Sequence, residues 1–359
     1  MSIMKLLGKT RSQVIRIEPK PNKITKYCII GVAIVCAVLI IVCLYQFQQA
    51  HNPKNLEEGG TLVQTSNDGI SHLYPTIPGG REWFANWHTQ SHKIYSGAFD
   101  PYDPQFQARG DGYIIVNGDG TAKLSGSAPR MYVYDPTLQK KWNNVEITLY
   151  AKRVSELSQV SSQGITAGAR SGSHDDVKYP NVCTDSTGYP NTAYNGRLTF
   201  DGRADFEKEI LYHRADAVSG DGSGTSPVTN AAFSTFSTPK DSTTGMHTMP
   251  KNTWIGYKLI AKDAGNGAVK LETWMDLTDG ANGGSWSKVN EYTDNGGWGA
   301  SYYFPGYTAN NWPCSQVPKN EVINHPMPYI FVRADSVKEI DYKNFSIREI
   351  DSKAPALSH

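Results

Sequence analysis

The sequence has few cysteines, no excess of either charge, and only one long hydrophobic run. Five cysteines occur in 359 residues, and three of them, Cys28, Cys36 and Cys43, lie inside that run, where a thiol behaves as a small hydrophobe. Cys183 and Cys314 are left over, and there is no C-x-x-C pair, so a zinc or thioredoxin-like centre is not expected. No stretch of ten or more residues after the run has the apolar spacing of an amphipathic helix, and no internal repeat is visible. Together these absences point away from helical bundles, solenoids and α/β enzymes.

The apolar run covers residues 27–47 and contains no charged residue. About 20 such residues span the roughly 30 Å hydrocarbon core as a helix. Lys5, Lys9, Arg11, Arg16, Lys20, Lys23 and Lys26 precede it against a single Glu18, which predicts a cytoplasmic N-terminus and an extracellular remainder. A cleaved signal peptide is the alternative, but its apolar core is usually about 7–15 residues long and ends at a small-residue cleavage site. The expected organisation is a basic tail over 1–26, a transmembrane helix over 27–47 and a Pro/Gly-rich stalk over 48–80. A β-domain over 81–352 and a disordered tail over 353–359 complete it.

The formal net charge is +1, and the part beyond the basic tail holds 28 basic and 33 acidic residues. A mildly acidic exterior argues against a nucleic-acid partner. Cys183 and Cys314, placed in an oxidising space, are expected to form one disulfide closing a loop of about 130 residues.

From residue 81 onward, period-two patterns recur. Val145, Ile147, Leu149 and Ala151 alternate with Glu146, Thr148, Tyr150 and Lys152. Ile255, Tyr257, Leu259 and Ala261 form a second series, and Val269, Leu271, Thr273 and Met275 a third. Such alternation marks strands with one buried face. Further strands are expected over 113–116, 122–124, 198–200, 328–332 and 342–350. Asn117-Gly118-Asp119-Gly120 reads as a hairpin turn, and Asp201-Gly202, Asn266-Gly267 and Asp279-Gly280 as further turns. The Ser/Thr/Gly/Pro-rich stretch 219–244 reads as a mobile loop. Many short strands with Gly/Asn turns and no helices imply an all-β sandwich or jelly roll.

One set of segments resembles the concanavalin A-like lectin/glucanase superfamily. It comprises Trp254-Ile255-Gly256-Tyr257-Lys258-Leu259, residues 269–276, Trp286-Ser287-Lys288-Val289, and the stretch from Tyr329 to Ile350 with Arg333-Ala334-Asp335 and Phe345-Ser346-Ile347. The likeness covers roughly residues 140–350 and implies a two-sheet jelly roll, with 254–276 as a hairpin of ligand-face strands. The whole chain is also similar to membrane-anchored surface proteins of ammonia-oxidising archaea, which implies a location and no activity.

Three chemistries are open. Phe206-Glu207-Lys208-Glu209-Ile210-Leu211-Tyr212-His213, as a strand, puts Glu207, Glu209, Leu211 and His213 on one face and Phe206, Lys208, Ile210 and Tyr212 on the other. Two carboxylates two residues apart lie about 6.5–7 Å from each other, between the separations of retaining and inverting glycosidases. The laminarinase-type motif of the superfamily, Glu-x-Asp-x-x-Glu, is departed from at two of three positions. A polysaccharide lyase would need a cation over the uronate and a nearby base; Arg170, Arg203, His174, Tyr212 and His213 are of those types. In either enzyme reading, Glu207, Glu209, His213 and Arg170 are the catalytic candidates.

The third chemistry is binding without turnover. Trp298, Tyr302, Tyr303, Tyr307 and Trp312 crowd a Gly/Asn-rich stretch ending near Cys314, and flat aromatic rings suit the C–H faces of sugars. A Cys183–Cys314 bridge would pin two such loops at one rim. No cofactor is implied beyond a structural calcium ion at the turn carboxylates Asp111, Asp119, Asp276 and Asp279, and no Asp-x-Asp-x-Asp-Gly loop is present. The chain is expected to be a tethered jelly roll that binds a cell-surface polysaccharide or other polymer. The alternatives are an anchored lyase or hydrolase and a non-catalytic envelope protein.

Overall fold

The computed structural model describes residues 67–158, 164–173, 191–212, 223–298 and 320–357. The chain divides into two compact units, Met1–Gly60 and Thr61–His359, and all described residues belong to the second. The expected spanning segment 27–47 and both Cys183 and Cys314 lie outside the described residues. Among those described, no helix is long and apolar enough to cross a membrane.

The described part is nearly all β. Its strands are β1 (Glu82–Phe84), β2 (His92–Tyr95), β3 (Phe99–Asp100), β4 (Asp103–Val116), β5 (Thr121–Val133) and β6 (Val145–Glu156). Next come β7 (Gly164–Ser173), β8 (Asn191–Thr199), β9 (Arg203–Tyr212), β10 (Ser223–Thr225) and β11 (Asn230–Ala231). The last are β12 (Trp254–Gly265), β13 (Ala268–Asp276), β14 (Ser287–Asp294), β15 (Tyr329–Arg333) and β16 (Val337–Glu349). Every strand-to-strand pairing is antiparallel, and the path runs β10-β9-β8-β7-β15-β5-β16-β6-β12-β13-β14.

This sheet doubles back, so β12, β13 and β14 lie against β7, β8 and β9 as a second layer. The Tyr257 hydroxyl crosses the gap to donate to the Gly196 carbonyl at 2.8 Å. The corner is the β4–β5 hairpin. One end of β5 pairs with β15 through residues 130–133, and the other pairs with β16 through residues 121–126. The bend falls where the register slips between Asp111 and Gly112, opposite Gly126. A Cβ on Gly126 would lie 2.2 Å from the Asp111 carbonyl oxygen, so only glycine lets the two backbones close up there. These interior glycines break the period-two pattern, which is why only the hairpin's tip was readable as strand.

The readable strands occur as expected, with their apolar series in the core: Ile147, Leu149, Tyr257, Leu259, Leu271 and Ile347 are all fully buried. Three expectations are corrected. The stretch 48–80 is not all stalk, because Ile70, Leu73 and Tyr74 are buried. They belong to a strap lying over the outer face of β6, β12 and β13, where they cluster with Tyr150, Ile260 and Trp286. The tail beyond 352 is tied back, with Leu357 N–H donating to the Leu73 carbonyl at 2.8 Å. Neither segment repeats with a strand or helix period, so neither shows as structure in sequence.

The described part of the Ser/Thr-rich stretch 219–244, residues 223–244, is also not free. Its residues 223–225 pair with β9, and Ala232 and Phe233 are buried. Phe233 meets Phe236 edge-on at 5.9 Å. One aromatic anchor outweighs a polar composition, because filling its cavity is worth several kcal/mol. Phe233→Ala should cost about 3–5 kcal/mol of stability, measured by chemical denaturation. A loss under about 0.5 kcal/mol would show that the loop is not held by that ring.

Candidate functional site: an arginine row on one sheet face

The two outer faces of the layered sheet differ in kind. On the face of β6, β12, β13 and β16 the strap seals a charged centre. Glu146, fully buried, accepts from Lys258 Nζ at 2.5 Å and Arg348 Nη2 at 2.6 Å, and from the strap's Leu73 N–H at 3.0 Å. Burial would raise the Glu146 carboxyl, but Lys258 and Arg348 hold it below its usual range. Lys258 is pulled down by burial against the opposing pull of Glu146. Tyr74 donates to Glu272 at 2.9 Å from the same strap. The 254–276 hairpin, which the resemblance implies is a ligand face, is therefore covered on its outer side by the chain's own residues.

The other outer face is formed by β9, β8, β7, β15, β5 and β4. Pairing register places Asp205, Arg197, Thr166, Arg333, Arg130 and Arg109 in one row across six successive strands. Neighbouring strands lie about 4.8 Å apart, so Arg333, Arg130 and Arg109 are stacked side by side. Like charges placed directly opposite repel, and the next row shows what compensates them. It runs Glu207, Asn195, Gly168, Phe331, Tyr132, Gln107.

At the β9 end the compensation is ionic. Arg197 Nε donates to Asp205 Oδ1 at 2.6 Å, and its Nη1 lies 3.4 Å from Glu207. Arg333 reaches Glu207 at 3.1 Å, Glu209 at 3.4 Å and Asp335 at 3.6 Å. Asn195 donates a further bond to Glu207 at 3.1 Å. Burial would raise both glutamates. For Glu207 the guanidiniums of Arg197 and Arg333 more than offset it, and the carboxyl sits low. Glu209 keeps the effect of burial, adds repulsion from Glu207, and sits high. Burial would lower Arg333, but Glu209 and Glu207 hold it up.

At the β4 end the compensation is aromatic. The Arg109 guanidinium lies 5.0 Å from the Tyr132 ring and 5.6 Å from those of Tyr134 and Tyr329, within cation–π reach. Its Nε donates to Gln107 at 2.6 Å, and Tyr134 donates to the same oxygen at 2.8 Å. Tyr132 stacks on Phe331 at 5.4 Å. The Phe331 ring lies over Gly168, where a Cβ would come within 2.2 Å of it, so glycine is required for that ring to lie flat on the sheet. Phe99, at 5.6 Å from Tyr134, is partly open to solvent. Arg130, half-buried between these ends, makes no ion pair with the described residues, and its Nε has no hydrogen-bond partner there.

The candidates named from sequence fall in three places. Glu207 and Glu209 share the outer face, with Phe206, Lys208 and Ile210 turned to the core. Arg170 does not join them. It is fully buried at the far end of β7, where it bridges layers to Asp263 at 2.7 Å, Asn144 at 3.0 Å and the Ile323 carbonyl at 2.8 Å. Trp298 is buried as well, stacked on Tyr194 at 5.9 Å and edge-on to Tyr292 at 5.2 Å. His213, Tyr302, Tyr303, Tyr307 and Trp312 lie outside the described residues. Arg109, Arg130, Arg197 and Tyr132 were not singled out from sequence, because only strand register brings them together.

Three of the four turn carboxylates considered for calcium, Asp119, Asp276 and Asp279, are engaged by the chain's own donors. Asp276 accepts from Tyr150, Thr278, Gly280 and Ser285. Asp119 accepts from Thr121, and Asp279 pairs with Lys343. Among the described residues no group of three or more His, Cys, Asp or Glu side chains could hold a metal ion.

No family model matches the chain, and no curated protein matches it; the likeness to archaeal surface proteins thus gains no support from them. Solved structures do align along most of the chain. The alginate lyase Aly36B is 10% identical, with 80% of this chain and 100% of that one covered at a TM-score of 0.34. An endo-β-1,4-glucuronan lyase from the fungus Trichoderma reesei is 11% identical, covering 77% and 94% at 0.31. The carbohydrate recognition domain of Emp46p is 9% identical, covering 74% and 98% at 0.30.

Proposed function

We propose that this chain is a surface-polymer-binding jelly roll of the concanavalin A-like type, tethered by the spanning segment 27–47, and that it binds acidic polysaccharide along the arginine row. The observation carrying this is the placement of Arg333, Arg130 and Arg109 on three adjacent strands beside Tyr132 and Phe331, on the outer face that the strap leaves alone. Planar guanidiniums present paired donors that match carboxylates, and adjacent aromatic rings suit the apolar faces of sugars. The tether is supported by the charge-free run and its basic flank. Recovery of the full-length protein without membrane after fractionation would count against it.

The test of binding is retention of the full-length protein, in detergent, on a gel containing a polyuronate against a neutral glucan gel. Arg130→Gln and Arg109→Gln should each weaken polyuronate retention about tenfold, since one charge-assisted hydrogen bond is worth roughly 1.5–3 kcal/mol. Equal retention of wild type and both variants would sink the proposal.

A hydrolase reading is favoured by one observation, the placement of Glu207 and Glu209 on a shared face, where neighbouring arginines hold one carboxyl low while burial and its neighbour's charge push the other up. Pairs whose ionisation is pushed apart are the pattern of acid/base catalysis. Polymer turnover that Glu209→Gln abolishes would select it; binding without turnover selects the first reading.

A further inference from the structure

The core between the layers holds a lysine that no binding or catalytic role uses. Lys208 points inward from β9 and Asp294 from the end of β14, and their side chains are 2% and 0% exposed. Nζ and Asp294 Oδ2 are 2.7 Å apart. The Tyr194 hydroxyl donates to the same Oδ2 at 2.6 Å, and the Gly296 N–H donates to Oδ1 at 3.1 Å. The Glu321 carbonyl accepts from Nζ at 2.8 Å, and the Trp298 ring lies 5.3 Å from it.

We propose that Lys208 and Asp294 join in an intramolecular isopeptide bond, a covalent cross-link between the two layers. The ammonium passes one proton to the carboxylate, giving a neutral amine and a neutral acid. Burial of both side chains penalises the separated charges, so this transfer within the pair costs less than it would in water. Nζ then attacks Cγ, the Nζ–Cγ bond forms, and the Cγ–Oδ2 bond breaks. Oδ2 departs as water with two of the three ammonium protons, and the third stays on the amide nitrogen. No oxidant, metal or co-substrate enters the balance. The Tyr194 hydroxyl positions and polarises the departing oxygen, and the Gly296 N–H holds the oxygen that becomes the amide carbonyl. Desolvation lowers the proton affinity of Lys208 against the opposing field of Asp294, which raises the share of nucleophilic amine.

The other buried lysine pair supplies an internal contrast. Glu146 faces Lys258 at 2.5 Å, but it also carries Arg348 and the strap's N–H groups. A second cation keeps that carboxylate ionised and its carbon a poor electrophile, and Arg348 has no counterpart among the described residues around Asp294.

The experiment is mass spectrometry of the full-length protein, denatured, reduced, alkylated and digested. The peptides carrying Lys208 and Asp294 should be recovered joined, one water lighter than their sum, while those carrying Lys258 and Glu146 stay linear. Lys208→Arg keeps a cation but cannot form the amide, and should yield only linear peptides. Asp294→Asn should give the same joined product with loss of ammonia instead of water. Recovery of wild-type Lys208 and Asp294 peptides in linear form would overturn the proposal, as would joining at Lys258–Glu146 with Lys208 free.

Discussion

Glu146→Gln should destabilise the protein by about 3–5 kcal/mol, since removing one partner of a buried ion pair leaves an uncompensated charge. Here two charges are left, because Lys258 and Arg348 both end on this carboxylate. The substitution preserves size, so the loss is electrostatic and not a packing defect. Leu73 and Tyr74 N–H groups also lose an ionised acceptor, and their hydrogen exchange should accelerate first as the strap loosens. The pH dependence has a definite sign. A carboxyl held low by its partners contributes stability above its unfolded value and loses that contribution as pH falls through its folded value. The gap between wild type and variant should therefore be full at neutral pH and narrow in acid. Chemical denaturation of the full-length protein at both pH values checks this. A change within about 0.5 kcal/mol at neutral pH would mean that the Glu146 centre is not a stabilising element.

Arg333→Met should have a comparable effect, about 3–5 kcal/mol at neutral pH, but with acid acting through a different group. Arg333 is the cation that contacts both Glu207 and Glu209. Without it, two carboxylates face each other in a largely buried row with Arg197 on one side only. Glu209 already sits high from burial and from Glu207. A carboxyl raised in the folded state stabilises below its unfolded value and loses that contribution as pH rises through its folded one. In the variant this penalty grows, so lowering pH through the carboxylate range should restore most of the lost stability by protonating Glu209. Adding Glu209→Gln to Arg333→Met should restore it at neutral pH as well. If the double variant is no more stable than the single one, the glutamates do not strain this face. The same substitution removes one of the three adjacent arginines of the row, so polyuronate retention should fall with it.

Much of the fold was legible wherever a strand has one core face and one polar face. β6, β12 and β13 show this plainly, because their inner residues are mostly apolar and their outer ones include Glu146, Lys152, Lys258, Lys262, Lys270 and Glu272. The face of Glu207 and Glu209 was legible for the same reason, with Phe206, Lys208 and Ile210 opposite. In β7 and β8 the signal fails. Gly168, Ala167, Ala169, Ala193 and Gly196 are too small to mark either face, although Ala167, Ala169 and Ala193 are fully buried. Lys208 was counted with the apolar side of its strand but not assigned a partner, because Asp294 lies 86 residues away.

The sequence by itself determined the all-β character, the turns, the inward and outward sides of the best-patterned strands, and the presence of one apolar run long enough to span a bilayer. These follow from local chemistry: a two-residue side-chain period, glycine at positive-φ turns, and the cost of exposing aliphatic residues to water. Only the tertiary structure decided that residues 70–77 and 357 belong to the domain, that Arg170 and Trp298 are interior, and that four arginines share a row. Those outcomes depend on register and layer contact between distant segments. A one-residue slip would turn every side chain of a strand to the other face, and apart from the hairpin turns no local pattern in this chain records which strands become neighbours.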